Sequence, residues 1–107
     1  MNILTALKTK SSYPLSDDTL TAILIQRDLD GEDDFTKVVA NSSIFQGAVA
    51  DLYVLLATQP NITEGGMSVS QNDASTFLSL ANKIYSNIGE TDKGTNQSYT
   101  RFIGYKG

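Results

Sequence analysis

A chain of 107 residues is long enough for one hydrophobic core and too short for two. It contains no cysteine and no histidine, so disulfide bonds, thiolate zinc sites and histidine-dependent catalysis are excluded. The formal net charge of −4 at pH 7 disfavours general binding to nucleic acid, which needs a basic face. The first residues contain no apolar run long enough for a signal peptide, so we expect a soluble intracellular protein.

Two helices are predicted before residue 30. Asn2 can cap a short helix with Ile3, Leu4 and Leu7 on one side, and Pro14 stops this helix. Ser16 is a good cap for a second helix that continues to near Leu29, with acidic residues in its first turn and an inner face of Leu20, Ile23, Leu24 and Arg27.

Five acidic residues follow between Asp28 and Asp34. An EF-hand calcium loop needs glycine at position 6 and glutamate at position 12. Counted from Asp28, these positions hold Asp33 and Val39, so the segment is predicted to be a solvated acidic loop. We therefore expect no metal site here.

The most apolar stretch, Asn41 to Thr58, is predicted to be the central helix. Phe45, Val49, Leu52 and Leu56 recur along one stripe, and neighbouring apolar residues widen it almost all round. Asp51 is the one charge of this helix. It is either a buried carboxylate with a raised pKa, or it lies on a polar edge of the helix or pairs with Lys or Arg. We expect the second of these two arrangements, a polar edge or a basic partner. One helical turn built from Phe35, Val38 and Val39 is expected to tuck under this core just before it.

A connection and a last helix complete the predicted core. Gly65 and Gly66 mark a turn within Ile62 to Ser70, which we expect to be a tight loop or a hairpin-like connection. Ser70 caps a helix whose apolar residues recur at helical spacing as far as Ile88, and Gly89 ends it.

The sequence thus predicts an all-α or mostly α fold. We expect a compact bundle of four to five helices around the central apolar helix, forming a single domain over residues 1–90. Residues 91–107 are expected to form a polar linker and an extended C-terminal tail with a weak strand signal from Tyr99 to Tyr105. Seven of the twelve acids lie between Asp17 and Asp34, whereas the last fifteen residues carry only basic charges, a separation that suits head-to-tail contacts between copies.

The order of these features resembles small head–tail connector proteins of tailed phages, which are adaptor or head-completion proteins also termed DNA-packaging proteins. The similarity is greatest to versions found in prophages of gut Bacteroides-type bacteria. It covers roughly Ile3 to Glu90 and rests on these segments: ILTALK, LSDDTLTAILIQRDLD, GAVADLYVLLATQPNI, EGGMSVS and DASTFLSLANKIYSNIGE.

The resemblance implies a non-enzymatic structural protein of the virion, without cofactor, metal or catalytic residues. Many copies would form a ring under the portal and contact portal and tail-completion proteins, with no specific nucleic acid and no membrane as partner. The protein would occupy the bacterial cytoplasm during assembly and then the virion. The expected interface residues lie in the connection and in the tail: Ile62, Glu64, Met67, Val69, Tyr99, Arg101, Phe102 and Tyr105.

Three other functions stay open at this point. The first alternative is a small helical protein-binding or regulatory module with an unknown partner. A helical DNA-binding regulator ranks below it, because the second helix offers only Arg27 among acidic neighbours. An enzyme ranks last, because no carboxylate pair or nucleophile has a suitable arrangement.

Overall fold

A computed structural model describes residues 1–90 of the chain. Over this range the fold is helical and compact, as the sequence predicts. Its elements are α1 (Ile3–Lys8), α2 (Asp17–Gln26), α3 (Lys37–Ala40), α4 (Ser43–Thr58), a single 3₁₀ turn (Glu64–Gly66) and α5 (Gln71–Asn87). The predicted linker and tail at residues 91–107 lie outside the described residues.

Side-chain caps set where the helices begin. The side-chain oxygen of the residue before each helix accepts a hydrogen bond from a backbone N–H three residues later, which satisfies a donor that has no partner inside the helix. The capping residues of α1 to α5 are Asn2, Ser16, Thr36, Ser42 and Ser70. The predicted caps of α1, α2 and α5 are confirmed, and the cap of α4 is Ser42.

Helix α4 lies at the centre, as predicted. Phe45, Leu52 and Leu56 are fully enclosed by residues of α1, α2 and the segment that precedes α5. Helix α5 packs along α4, where Ala50 of α4, Ala81 and Tyr85 form a second buried group. No helix within residues 1–90 has the length and hydropathy that crossing a membrane requires.

Two details of the helices differ from the predictions. Helix α2 ends at Gln26, before the expected Leu29, because Arg27 leaves the helical conformation and Asp28 adopts a φ of 58°. Helix α3 forms next to the core, but Val38 is 80% exposed and points away from it, while Phe35 and Val39 pack against the core. A helix of one turn can bury only one side, and here that side carries Val39.

The connection between α4 and α5 doubles back on itself without strands. The Val69 N–H donates to the Pro60 carbonyl at 2.9 Å and closes the loop. Inside it, Gly65 and Gly66 both have positive φ values, 78° and 77°, which glycine adopts without strain. The paired glycines therefore make a turn, as their spacing predicts.

Candidate functional site

The most distinctive polar arrangement joins three helices around the Arg27 side chain. Its Nε and Nη2 donate to the two carboxylate oxygens of Asp51 at 2.8 and 3.0 Å. Its Nη1 and Nη2 donate to the two oxygens of Glu90 at 2.6 and 3.0 Å. Arg27 follows α2, Asp51 lies in the middle of α4 and Glu90 follows α5, so one guanidinium ties the three elements together.

Tyr85 completes this charge cluster, which we define as Arg27, Asp51, Tyr85 and Glu90. The fully buried Tyr85 hydroxyl donates to Asp51 Oδ1 at 2.6 Å. The Arg27 side chain is 13% exposed and that of Asp51 is 20% exposed, so both charges are largely removed from water. Paired hydrogen bonds of this kind are among the stronger polar contacts in proteins.

A glycine makes room for the guanidinium beside α4. A Cβ atom at Gly47 would lie 2.4 Å from Arg27 Nη1 and 2.5 Å from Arg27 Cζ, which is closer than real Cβ atoms come. Gly47 precedes Asp51 by four residues, so the two lie one above the other on α4. The helix thus offers a flat patch for the guanidinium plane and a carboxylate at its edge.

The cluster shifts the pKa values of two of its members. Burial opposes the charge on Arg27, but the hydrogen bonds and negative charges of Asp51 and Glu90 outweigh it, so the pKa of Arg27 is raised. Burial is the main cause of a raised pKa at Tyr85, and the adjacent Asp51 carboxylate adds to it. Both groups stay protonated throughout the physiological range.

The raised pKa of Tyr85 makes stability depend on alkaline pH. In the unfolded chain a tyrosine loses its proton near pH 10, whereas Tyr85 keeps it in the folded state. The folded state then binds more protons, so the contribution is complete below about pH 10 and is lost as the pH rises above it.

The chemistry of the charge cluster is that of a cross-link between helices. Both oxygens of Asp51 accept hydrogen bonds from the Arg27 guanidinium, and Oδ1 also accepts one from the Tyr85 hydroxyl. Across residues 1–90, no three acidic side chains converge to form a group that could hold a metal ion.

The predicted interface residues of the connection occupy different environments. Glu64 and Met67 are exposed, with Met67 at 53%, and are available for contacts. Ile62 is half-buried against the core. Val69 is only 6% exposed and belongs to the core, so it offers little surface to a partner. The other expected interface residues lie outside the described region: Tyr99, Arg101, Phe102 and Tyr105.

Comparison with protein families places the whole helical core in one group. The sequence profile of a family of unknown function, DUF6706, matches residues 1–101. The chain belongs to this family. The DUF6706 match contains the entire charge cluster and includes Tyr99 and Arg101, but it ends before Phe102 and Tyr105. Neither the curated proteins nor the solved structures gave a match.

Sequence reasoning found one part of the charge cluster and missed the rest. The expectation that Asp51 lies on a polar edge or pairs with a basic residue is confirmed by its contacts with Arg27. The roles of Glu90, Tyr85 and Gly47 were missed, because their partners are distant in the chain. The available signal was that Asp51 is the single charge of the most apolar helix and that Arg27 lies on the predicted inner face of the second helix.

Proposed function

We propose that this protein is a non-enzymatic structural subunit of a phage head–tail connector, which oligomerises under the portal and helps to complete the DNA-filled head. The order of its helices supports the proposal, because the resemblance to connector proteins runs through all of them. Its partners would be further copies of itself together with portal and tail-completion proteins. Its location would be the bacterial cytoplasm during assembly and the virion afterwards.

The proposal rests on where the charged residues lie and which of them form ion pairs. Within residues 1–90, the ion pairs of Arg27 with Asp51 and Glu90 fasten helices to one another, and Lys8 pairs with Asp17. Five further acids are exposed together in one loop: Asp28, Asp30, Glu32, Asp33 and Asp34. An exposed block of one sign on a small rigid subunit suits contacts with other proteins more than chemistry on a small substrate.

The acidic loop is held in a fixed place. The N–H groups of Ile3 and Leu4 donate to the carbonyls of Asp33 and Gly31 at 2.9 and 3.0 Å, and the Phe35 N–H donates to the Met1 carbonyl at 3.0 Å. These bonds define the position of the acids relative to α1. A subunit of a regular assembly needs such a fixed display, because every copy must present the same surface.

The proposal is tested by binding to a portal protein. Purified protein would be mixed with the portal protein of the phage to which the proposal assigns it, and the complex isolated by size-exclusion chromatography with light scattering. A complex with several copies per portal ring is the expected result. Failure to bind portal or tail-completion proteins at micromolar concentration would refute the connector role.

A truncation separates assembly from folding. Removal of residues 91–107 is expected to impair assembly, because it deletes the basic segment, while circular dichroism still reports the helical core. Normal assembly of the truncated protein would show that the tail is not needed. The connector role itself would then rest on the portal experiment.

A small helical protein-binding module is the alternative function. A cleft of about 290 Å³ favours it, and its lining comes from α1, α2, α4 and the segment between α1 and α2, including Leu7, Tyr13, Leu20 and Leu52. A monomer that binds one peptide or protein with saturable affinity, and does not bind portal protein, would support this alternative.

A further inference from the structure

A second surface of the molecule carries the basic counterpart of the acidic loop. A groove of about 280 Å³ opens between the end of α1, α3, α4 and α5. Its floor consists of the side chains of Phe45, Val49, Tyr53 and Ile84, and Lys10 lies at its edge. We call this surface the lysine groove.

Two more exposed lysines are neighbours, in the sequence, of residues that line the lysine groove. Lys37 lies one helical turn before Ala40, which is part of the lining, and Lys83 directly precedes Ile84. All three lysines are exposed, and within residues 1–90 none of them forms an ion pair. Within residues 1–90, the basic residues that form no ion pair are therefore Lys10 at the groove edge and the two lysines that neighbour its lining residues in the sequence.

The groove is rigid where Lys10 enters it. The Tyr53 hydroxyl donates to the Lys10 carbonyl at 3.0 Å, and the Tyr53 ring stacks on Phe77 with 5.3 Å between ring centroids. The backbone of Lys10 is thus held by contacts with α4 and α5.

We infer that the lysine groove binds the acidic loop of a second copy of this chain. The loop offers five exposed carboxylates. The groove offers an apolar floor with Lys10 at its edge, and two further exposed lysines are close to its lining residues in the sequence, so the two surfaces are complementary in charge. In its own chain the loop is bonded to Ile3 and Leu4 at the first turn of α1, whereas Lys10 follows the last turn of that helix.

A contact between two different surfaces repeats from copy to copy. The lysine groove of one subunit takes the loop of the next, which still has its own groove open, so the contact builds a ring or a filament rather than a closed dimer. This inference rests on the proposed connector role for its biological meaning, since it names the contact between subunits. The contact between copies can be disproved while binding to the portal protein is observed, and portal binding can be disproved while the contact between copies is observed.

Charge-reversal variants of the full chain test the contact. The groove variant is Lys10→Glu/Lys83→Glu and the loop variant is Glu32→Lys/Asp33→Lys, all at exposed side chains that make no hydrogen bond or ion pair within the described residues. Analytical ultracentrifugation over a hundredfold range of concentration would follow association at low and high salt. The unmodified protein is expected to associate at low salt and to dissociate at high salt, because exposed charge pairs are screened.

Each variant alone is expected to bind itself at least about tenfold more weakly than the unmodified protein. An equimolar mixture should regain association, since the loop of the first variant still carries acids and the groove of the second still carries lysines. A matched control is Gln71→Glu/Ser75→Glu compared with Lys10→Ala/Lys83→Ala, because both pairs lower the net charge by the same amount. Only the lysine pair should weaken association.

Three results would overturn the inference. The first is an unmodified protein that stays monomeric at all concentrations and salt levels. The second is association that the groove and loop variants leave unchanged. The third is a short DNA duplex that binds the groove and loses affinity in the lysine variants, which would identify nucleic acid as the occupant.

Discussion

Replacing Gly47 by alanine is expected to destabilise the protein, although alanine is the better helix former. Inside an exposed helix this change stabilises by about 1 kcal/mol. Here the new Cβ would lie 2.4 Å from Nη1 of Arg27, and the guanidinium is held on both sides by Asp51 and Glu90. It can move only by breaking charge-assisted hydrogen bonds.

The size of the effect follows from these opposing contributions. One charge-assisted hydrogen bond contributes about 1.5–3 kcal/mol, and overpacking costs about 1–3 kcal/mol. After the gain of about 1 kcal/mol in helix propensity is subtracted from the sum of these two costs, the free energy of unfolding should fall by about 1.5–5 kcal/mol. For a domain of this size that corresponds to a Tm lower by at least about 6 °C.

A double-mutant cycle measured by urea denaturation provides the test. In an Arg27→Gln background the guanidinium is gone, and the same Gly47→Ala change should become neutral or stabilising. Ser75→Ala, at an exposed position of α5, serves as the control for helix propensity and should raise stability slightly. If Gly47→Ala stabilises the unmodified protein, the packing of Arg27 against α4 described above is wrong.

Three further changes probe other parts of the fold. Tyr85→Phe should lower the free energy of unfolding by about 1–2 kcal/mol at pH 7, because it removes the hydrogen bond to Asp51. In alkaline denaturation curves the same change should reduce the loss of stability above pH 10. An unchanged pH dependence would contradict the protonated state assigned to Tyr85. Leu52→Ala should lower the free energy of unfolding, measured by urea denaturation, by about 3–5 kcal/mol, since it leaves a cavity at the fully buried centre of α4. A decrease below about 1 kcal/mol would place this residue nearer the surface. Ser42→Ala should cost about 1 kcal/mol by removing the cap on the Phe45 N–H, and Ser42→Asp should restore most of it; equal stability of all three proteins would show that the cap contributes nothing.

Local signals explain why much of the fold could be predicted from the sequence. A capping side chain such as that of Ser16 or Ser70 accepts a hydrogen bond from a backbone N–H only three residues away. The start of a helix is therefore determined by a few neighbouring residues. The central position of α4 follows from its composition, because a helix with apolar residues all round must be covered.

Contacts between distant residues account for what the sequence did not reveal. Arg27 meets Asp51 and Glu90 across 24 and 63 residues, and α2 ends at Gln26, just before Asp28 adopts a positive φ. Val69 alternates with polar neighbours, which indicated an exposed loop, yet it completes the core beneath the connection. Such placements depend on how helices pack together, which short-range patterns do not contain.

The hydrogen bonds between α1 and the acidic loop have a consequence for amide exchange with solvent. The first N–H groups of a helix normally exchange freely because they have no partner within it. In α1 the amides of Ile3 and Leu4 are bonded to the carbonyls of Asp33 and Gly31, so their protons can exchange only when the loop lifts off. These two amides are therefore expected to exchange slowly, and their rate would report how firmly the acidic surface is held, some thirty residues away along the chain.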